Sequence, residues 1–481
     1  MSNVTPLSSL KRVREVQPKE ETTPASPVDS LIIPLEQPVP PDTPMQRGFI
    51  SVGRAERLRL QLWLADNLRK SIAPDVPLDL PLPRTLEREQ IIRERYQQGL
   101  QRANIKIPPD VTEEQFYNNV LDEIFGYGPL EPFVRSDSVA EIMVNSPYVI
   151  FIEEKGKELV ESGHKFLDDD HVERVIKRIV KPLGRLADAD HPLVDARLPD
   201  GSRVNAVMRP CAIDGPNITI RKFSKDKLTI DNLIKFGSLT PNMAEFLRAC
   251  VVSRLNIIVS GGTGSGKTTL INVLSGFIPE GERTVTIEDA AELQFKQRNV
   301  IRLETKKPTP DSPGVVTVRD CVVNALRMRP ERIVVGECRS GETLDMLQAM
   351  NTGHDGSMTT VHSNSPRDCI SRLETLVLMA GVDLPIQVVR NQIAKAINLI
   401  VQISRLRDGS RKITFITEVQ GIEGDTPIMT DIFKFVEKGE EDKKVTGNHE
   451  PAGLRPKCEP TLRNYGFNLP ATMFMKPDGA K

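Results

Sequence analysis

The sequence predicts an α/β protein with a mainly parallel sheet, preceded by a small α+β domain, a short helical domain and a disordered N-terminal tail. Three observations support this prediction. Short apolar strands alternate with helical segments across residues 236–425, which is typical of a mainly parallel sheet with helices on both faces. Strand-like segments separated by turn residues dominate residues 128–223. Amphipathic stretches joined by Pro-containing links occupy residues 51–127.

The composition bounds the class of protein. The 481 residues include 64 Lys and Arg against 65 Asp and Glu, so the net charge does not indicate nucleic acid or anionic lipid as a partner. Six cysteines lie far apart without metal-site spacing, which favours buried thiols in a reducing compartment. The N-terminus lacks an apolar signal core, and no apolar run approaches the roughly 20 residues of a membrane helix. We therefore expect a cytoplasmic protein that reaches a membrane only through partners.

The first elements are a tail and three helices. Residues 1–50 are rich in Pro, Ser and Thr and poor in aromatic residues, so they are predicted to be a disordered tail. Apolar side chains repeat at helical spacing in residues 54–72, 85–103 and 112–126, which predicts a three-helix domain at 51–127. The apolar stripes fit a shared core most economically, and a partner-binding groove is the alternative.

The following segment predicts a compact α+β domain. Residues 128–223 contain strands with turns at Lys155-Gly156 and Pro199-Asp200-Gly201, and one amphipathic helix between them. A polar linker is predicted at residues 224–235, before the alternating strand and helix pattern of 236–425. Residues 426–481 form a charged C-terminal extension that the sequence pattern does not assign.

The stretch "SGGTGSGKTTL" satisfies the pattern G-x-x-x-x-G-K-[ST] between a predicted strand and a predicted helix. Glycines let the backbone approach phosphate oxygens, and the helix N-terminus adds positive potential. Lys267 is expected to reach the β- and γ-phosphates, and Thr268 to bind Mg²⁺. The predicted nucleotide-binding residues here are Gly261, Gly262, Thr263, Gly264, Ser265, Gly266, Lys267, Thr268 and Thr269.

Two acids follow predicted strands of the same sheet. "TVTIED" ends in Glu288 and Asp289, and "RIVVGE" ends in Glu337. Because ligands of open α/β sheets bind beyond the carboxyl ends of the strands, both acids are expected to face the phosphates and Mg²⁺. Gly336 stands where many ATPases place a metal-binding Asp, so Glu337 must do more or water must fill the gap. Which of Glu288 and Glu337 is the general base stays open.

Histidines and arginines complete the set of candidates. His362 follows a third predicted strand and could contact the γ-phosphate, and His354 lies earlier in the same Gly-rich segment. The domain before the linker offers basic side chains that fit either a bidentate grasp of phosphate or a solvated basic face, which the residues alone leave equally open. Those side chains are Arg197, Arg203, Arg209, Arg221 and Lys222, and Arg327 and Arg329 are further candidates for a neighbouring subunit's phosphate.

The motifs together resemble a known family. "GGTGSGKTT", "TIEDAAELQ", "RMRPERIVVGECRSGETLDMLQAMNTGHDGSMTTVHSNSPRDCISRLE" and "GYGPLEP" are similar to the type II/IV secretion and pilus-assembly ATPases, and within them to the CpaF-like ATPases of Tad pili. The resemblance covers about residues 112–425. It departs at Lys306, where the nearest members of the family carry Arg.

The resemblance implies a function. It implies a homo-hexameric ATP hydrolase with a RecA-like P-loop domain and a PAS-like α+β domain, using ATP and Mg²⁺ on the cytoplasmic face of an inner-membrane pilus or secretion platform. It makes Glu288 the Asp-box acid, Glu337 the Walker B acid, and His354 and His362 the His-box imidazoles. It also makes Arg197, Arg203 and Arg221 phosphate-facing residues. The catalytic residues would be Glu288, Glu337, His362 and Arg221, and the metal ligands Thr268, Glu288 and Glu337.

Three other functions remain open at this level, and the least favoured is a small-molecule kinase, because the chain shows no obvious acceptor site. A RecA-like nucleic-acid motor is disfavoured by the balanced charge and by the lack of interleaved aromatic and basic stretches. A nucleotide-gated scaffold without hydrolysis is suggested by Gly336. The sequence leaves open extension versus retraction, and a pilus versus a secreted substrate.

Overall fold

A computed structural model describes residues 51–102, 106–223, 228–308 and 312–476. The chain divides into two compact units, of which the first ends at Lys222 and the second begins at Phe223. The predicted tail at 1–50 lies outside the described residues, as does the first part of the predicted linker. Within the described residues, no helix has the length and apolar character needed to cross a membrane.

The first unit begins with three helices where the sequence predicts them. They are α1 (Val52–Ile72), α2 (Leu86–Arg102) and α3 (Glu113–Phe125). A capping box of Thr112 and Gln115 starts α3, because each side chain accepts a hydrogen bond from the other's backbone N–H. The predicted apolar stripes face one another, and Leu64, Ile92 and Phe116 are buried in one core. The stripes therefore form a shared core.

An antiparallel sheet follows in the order β3-β2-β1-β6-β5-β4. Its strands are β1 (Val139–Ser146), β2 (Val149–Glu154), β3 (Leu159–Glu161), β4 (Leu193–Arg197), β5 (Arg203–Val207) and β6 (Asn217–Arg221), and its helices are α4 (Glu131–Arg135) and α5 (Asp169–Val180). The apolar face of α5 contributes Val172 and Ile176 to the core beneath Ile142 and Ile220. The sequence-predicted α+β arrangement is present.

Buried polar contacts join α3, of the three-helix segment, to α5, the helix that packs on the sheet. His171 Nε2, on α5, lies 3.1 Å from Glu123 Oε2, on α3, and both side chains are buried. Arg178 Nη1 donates to the carbonyl oxygens of Glu123 (2.8 Å) and Gly126 (2.6 Å). Burial raises the pKa of Glu123, but His171 and then Arg178 outweigh it and hold the pKa below its ordinary value. The three-helix segment and the segment after residue 127 therefore share buried polar contacts.

The second unit contains a nine-stranded sheet in the order β15-β14-β13-β12-β7-β11-β10-β8-β9. Strands β12, β7, β11, β10, β8 and β9 are parallel, and β13 to β15 add antiparallel strands. The strands are β7 (Ile257–Ser260), β8 (Thr284–Glu288), β9 (Val300–Glu304), β10 (Arg332–Val335), β11 (Met358–Val361), β12 (Leu399–Arg405), β13 (Arg411–Glu423), β14 (Thr426–Glu441) and β15 (Lys444–Pro451). This sheet confirms the predicted α/β class.

Helices cover both faces of this sheet. They are α6 (Ile230–Lys235), α7 (Pro241–Val252), α8 (Lys267–Ser275), α9 (Val318–Ala325), α10 (Glu342–Asn351), α11 (Pro366–Leu378), α12 (Ile386–Ala396) and α13 (Glu459–Asn464). One core contains Leu247 and Leu270 from α7 and α8, and the other contains Leu347 and Leu373 from α10 and α11. The central strands, such as β7 and β10, are buried on both faces, as expected of parallel strands.

The C-terminal residues, which the sequence pattern left unassigned, belong to this unit. Strands β14 and β15 continue the sheet beyond β13. Leu462, from α13, and Phe474 are buried in the core that also contains Leu270. The domain predicted to end near residue 425 therefore extends to the end of the described residues.

Candidate nucleotide-binding site

The loop at 261–266 joins β7 to α8 and requires glycine at particular positions. A Cβ atom at Gly261 would lie 2.3 Å from the carbonyl oxygen of Ile403. Gly264 and Gly266 have φ values of 68° and 100°, which side chains rarely allow. Helix α8 begins at Lys267, so the free N–H groups of its first turn, including those of Thr268 and Thr269, open toward the loop. This geometry is the one expected of a phosphate-binding loop.

Lys267 turns back over this loop. Its Nζ donates to the carbonyl oxygens of Gly261 (2.9 Å) and Gly262 (3.0 Å), and it lies 3.4 Å from His362 Nδ1. Burial, and to a lesser degree the charge of Arg339, lower the pKa of Lys267 against the opposing effect of Glu337. The ammonium group is therefore held at the mouth of the loop, where a phosphate group would replace the two carbonyl oxygens as its partner.

His362 lies beside Lys267 because it directly follows β11, the strand next to β7. Its Nε2 is 3.3 Å from Thr263 Oγ1, and its Nδ1 is 4.0 Å from Glu337 Oε1. Burial and the charge of Lys267 lower the pKa of His362, against the opposing charge of Glu337, which favours a neutral imidazole at pH 7. The side chain links the loop to the acid at the next strand end.

His354 is in a different place. It precedes β11, at the amino ends of the parallel strands, whereas the loop lies at their carboxyl ends. Its carbonyl oxygen accepts a hydrogen bond from Ser357 Oγ at 2.7 Å, which closes the turn before the strand. The structure therefore brings His362 to the loop and does not bring His354 there.

Glu337 follows β10 and is engaged by an arginine that the sequence analysis did not single out. Its Oε2 accepts hydrogen bonds from Arg339 Nε (2.8 Å) and Nη2 (2.5 Å). Arg339 Nη1 also lies 3.8 Å from Asp289 Oδ2, at the end of β8. In the sequence, Arg339 could have been recognised from its position two residues after Glu337, an acid that follows a strand. Arg339 thus connects two of the predicted acidic strand ends.

Glu288 ends β8 as predicted, but its carboxylate has its own partners. Oε1 accepts from the backbone N–H of Glu292 (2.8 Å) and of Leu293 (3.0 Å). Burial is the main cause that raises the pKa of Glu288 to about 7. Its Cγ lies 2.8 Å from the position that a Cβ at Gly336 would take. The Glu288 side chain thus fills the space above Gly336, beside Glu337. From the sequence, water in this space or a larger role for Glu337 is expected.

The residues at the loop suit Mg²⁺. No group of three or more His, Cys, Asp or Glu side chains that could hold a metal ion occurs within the described ranges. Mg²⁺ is usually held by one or two protein oxygens, with nucleotide phosphates and water completing the shell. Thr268, in the first turn of α8, and Glu337 offer such oxygens. The carboxylate of Glu288 is instead directed to backbone N–H groups.

The predicted arginines of the first unit form a row across its sheet. Arg197 on β4 is the register partner of Arg203 on β5, and Arg203 is the partner of Arg221 on β6. Their neighbours Val204 and Ile220 are buried, so the three arginines share the face opposite the core. Arg221 is also the register partner of Glu141 on β1, whose Oε1 lies 3.8 Å from Arg221 Nε, so part of the positive charge of the row is balanced within the sheet.

Three of the other basic candidates have structural partners. Arg209 Nη2 donates to Asp169 Oδ2 at 3.1 Å. Lys222 Nζ donates to the carbonyl oxygens of Val134 and Ser136, both at 2.6 Å. Arg327 Nη1 donates to the carbonyl oxygen of Val323, within its own helical segment, at 3.1 Å.

A second arginine beside the loop was also missed. Arg411, at the start of β13, donates from Nε to the carbonyl oxygen of Gly264 at 3.0 Å. Its Cδ lies 3.4 Å from the position of a Cβ at Gly266. No local motif marks this residue, since it lies 147 positions beyond Gly264.

Comparisons with known proteins identify relatives. The family described as Type II/IV secretion system protein matches residues 123–442. The conjugal transfer protein TrbB of Rhizobium radiobacter is 35% identical over 290 residues, which cover 60% of this chain and 84% of that protein. The type IV secretion system protein PtlH of Bordetella pertussis is 34% identical over 306 residues, covering 57% of this chain and 88% of PtlH.

A solved structure is also similar in sequence. The VirB11 ATPase of the Brucella suis type IV secretion system is 30% identical, over 60% of this chain and 91% of its own, with a TM-score of 0.33. The family match at 123–442 spans more than half of the 481 residues and includes the phosphate-binding loop with the acids and imidazole around it. The chain therefore belongs to the type II/IV secretion ATPase family.

Proposed function

We propose that the protein binds ATP with Mg²⁺ at the loop and hydrolyses it. The observation that carries this proposal is the convergence of Lys267, His362 and Glu337. His362 Nδ1 lies 3.4 Å from Lys267 Nζ and 4.0 Å from Glu337 Oε1, at the carboxyl ends of neighbouring strands. Phosphoryl transfer to water uses a cation that stabilises charge on the phosphates and a group that orients the water, and a neutral imidazole here can donate a hydrogen bond to the phosphate.

The proposal gives each residue a role. The N–H groups of the loop and of the first turn of α8 bind the β- and γ-phosphates, and Lys267 neutralises their charge. Thr268 and Glu337 hold Mg²⁺, which supplies charge stabilisation when bound. Glu337 also orients the attacking water, and His362 donates a hydrogen bond to the γ-phosphate. Glu288 fixes the backbone at 292–293 through its two hydrogen bonds and supports the site.

The arginine row extends the proposal. Arg197, Arg203 and Arg221 stand side by side on three strands and give this face of the small sheet a local positive charge. We propose that this row binds a phosphate group, with Arg221 contributing to catalysis. Guanidinium groups suit this role because they bind phosphate oxygens in a planar, bidentate manner.

The family supports a proposal for the cellular role. Relatives named as conjugal transfer and type IV secretion system proteins support a role in powering a secretion or pilus machine. We propose a homo-hexameric motor, bound to an inner-membrane platform through partners, that drives assembly or retraction of a Tad or type IV-like pilus, or secretion by a type II/IV system.

Two substitutions test the site. Lys267→Ala is expected to abolish both ATP binding and phosphate release, since it removes the cation at the loop. Glu337→Gln is expected to retain ATP binding and to lower steady-state phosphate release by about 100-fold or more, the scale of losing a positioned catalytic group. Titration calorimetry and a phosphate-release assay measure the two quantities.

The matched control is Glu280→Gln, an exposed acid in the loop before β8. It should leave both binding and turnover unchanged. Turnover near the wild-type rate in either site variant would contradict the assignment, and so would ATP binding by Lys267→Ala at the wild-type affinity.

A further inference from the structure

Polar side chains are buried behind the phosphate-binding loop, at the carboxyl ends of three neighbouring strands. Ser260, the last residue of β7, pairs in register with Val361 of β11 on one side and with Gln402 of β12 on the other. Two residues earlier on β7 and β12, Ile258 and Ile400 are buried in the apolar core that also contains side chains of α10 and α11. Because side chains alternate along a strand, Ser260 and Gln402 lie on that same face of the sheet.

Hydrogen bonds connect Ser260, Gln402 and Ser363, which together form the polar cluster. Gln402 Nε2 donates to the carbonyl oxygen of Ser363 at 3.2 Å. The hydroxyl groups of Ser363 and Ser260 are hydrogen-bonded to each other, and the thiol of Cys369, on α11, is a further partner of both. All four side chains are buried. The cluster therefore ties β12 to the residue after β11, and that residue to the end of β7.

The polar cluster adjoins the site along the chain at two places. Ser260 directly precedes Gly261, the first residue of the loop, and Ser363 directly follows His362. The side chain of His362 is 47% exposed, so few neighbouring atoms restrain its ring. The position of the imidazole relative to the loop therefore depends on how the backbone at residue 363 is held.

Packing alone does not account for the polar cluster. Apolar side chains fill the same face two residues earlier on β7 and β12, and burying polar groups costs free energy unless each is hydrogen-bonded. Hydrogen bonds are directional, so they fix the distance between two backbone segments more narrowly than apolar contacts do. The cluster is thus suited to setting the distance between the loop and His362.

We propose that Gln402 and the Ser363–Ser260 pair are positioning residues, which hold His362 beside the loop so that its imidazole reaches the terminal phosphate. This inference rests on the proposed function, in which His362 donates a hydrogen bond to that phosphate. The three side chains are buried and act through His362. A displacement of about 1 Å in a group that contacts the reacting atoms can lower the rate by about 100-fold.

The first test separates turnover from binding in the full chain. Gln402→Met keeps a side chain of similar length and removes the donor to Ser363. It is expected to lower kcat by about tenfold and to leave the dissociation constant of a non-hydrolysable ATP analogue within about twofold of wild type. Ser363→Ala removes only the hydroxyl pair and should show the same separation. Phosphate release and titration calorimetry measure the two quantities.

The second test is a double-mutant cycle with His362. His362→Ala is expected to lower kcat by about 100-fold, the scale of one lost hydrogen-bond donor to the reacting group. Adding Gln402→Met to that variant should lower kcat by no more than about twofold further, because the amide acts through the imidazole. A purely structural defect would lower kcat by the same factor with and without the His362 side chain.

Gln297→Met is the matched control. Gln297 is also buried, and its Nε2 donates to the carbonyl oxygens of Ser275 (2.6 Å) and Ile278 (3.0 Å), at the opposite end of α8 from the loop. The control should leave kcat unchanged.

The outcomes distinguish this inference from the proposed function. Wild-type kcat in both Gln402→Met and Ser363→Ala would overturn the positioning role alone. A full tenfold further loss in the His362→Ala background would do the same, and so would an equal loss in Gln297→Met. A wild-type protein without ATP turnover would overturn the proposed function, and wild-type kcat in His362→Ala would overturn the role that it gives to His362.

Discussion

The glycine at position 336 is explained by the side chain of Glu288, which lies on the neighbouring strand. Strands β8 and β10 pair in parallel with Ile287 opposite Val335, so the next residues of both strands also lie side by side. The Gly336 N–H donates to the carbonyl oxygen of Ile287 at 2.8 Å, and the Glu288 side chain crosses above the glycine. A glycine in front of the acid of β10 is therefore required by the buried acid of β8.

The first prediction concerns Gly336. A methyl group at this position would lie 2.8 Å from Glu288 Cγ, so Gly336→Ala must displace the carboxylate from its two backbone donors. We expect the free energy of unfolding to fall by about 1–3 kcal/mol, as in other overpacked sites, with a loss of ATP turnover. Scanning calorimetry and phosphate release measure both.

The control for this change is Gly281→Ala, because a Cβ at Gly281 meets no atom within 4 Å. Equal stability of the two variants would contradict the packing argument.

The second prediction concerns the pH dependence of stability. Burial raises the pKa of Glu288 from 4.5 to about 7, so the proton is bound more tightly in the folded state than in the unfolded state. The stability that this group contributes is complete below pH 4.5 and is lost as the pH rises toward about 7. Glu288→Gln keeps an acceptor for the backbone N–H groups and does not ionise.

We expect Glu288→Gln to match wild type at pH 4.5 and to exceed it by about 1–3 kcal/mol at pH 8, measured by thermal or urea unfolding. Glu280→Gln, at an exposed acid, should show no such trend. A stability difference that is the same at both pH values would contradict the assigned pKa.

The sequence predicts parts of this site and not others for definite physical reasons. The loop is predictable because its glycine requirement is local, and the positions of His362 and Glu337 follow from parallel strands ending at one edge. The direction of the Glu288 carboxylate depends on the cross-strand register with Gly336 and on the turn at 292–293. Arg411 reaches Gly264 through a pairing between distant segments, which no local pattern encodes.

At the scale of elements, the C-terminal segment completes the core on one face of the large sheet. Phe246 from α7, Phe433 from β14 and Phe474 near the C-terminus have ring centroids 5.8–5.9 Å apart. All three rings are buried. The alternation typical of a parallel sheet ends before β13, so the sequence pattern could not assign the antiparallel strands β14 and β15 that follow.

The third prediction tests this packing. Phe474→Ala removes a buried ring from the trio and leaves a cavity, so it should lower the free energy of unfolding by about 3–5 kcal/mol. Scanning calorimetry of the full chain is the measurement. Met475→Ala is the matched control, because the adjacent Met475 is 61% exposed and should cost little. An unchanged melting temperature for Phe474→Ala would mean that the C-terminal segment does not stabilise the second unit.

At the scale of the whole molecule, each compact unit has its own interior, and the boundary near Lys222 separates them. The sequence also predicts a domain boundary at residue 127, because the hydrophobic pattern changes there from helical to strand-like. The structure shows instead that polar groups are shared across that position. Glu123 and Gly126 supply the partners of His171 and Arg178, whose side chains are nearly fully buried.

The fourth prediction follows from that sharing. A fragment of residues 51–222 is expected to unfold cooperatively, whereas a fragment of residues 128–222 should not fold. The shorter fragment retains His171 and Arg178 but loses the Glu123 carboxylate and the Gly126 carbonyl oxygen, and leaving a buried charged group such as the Arg178 guanidinium without its partners costs about 3–5 kcal/mol. That cost approaches the whole stability of a small domain.

Circular dichroism during urea unfolding measures both fragments, and the single tryptophan, Trp63 on α1, provides a second probe for the longer one. A cooperative transition in the 128–222 fragment would show that this segment folds without the buried polar contacts to α3. It would support the domain boundary at residue 127 that the sequence predicts.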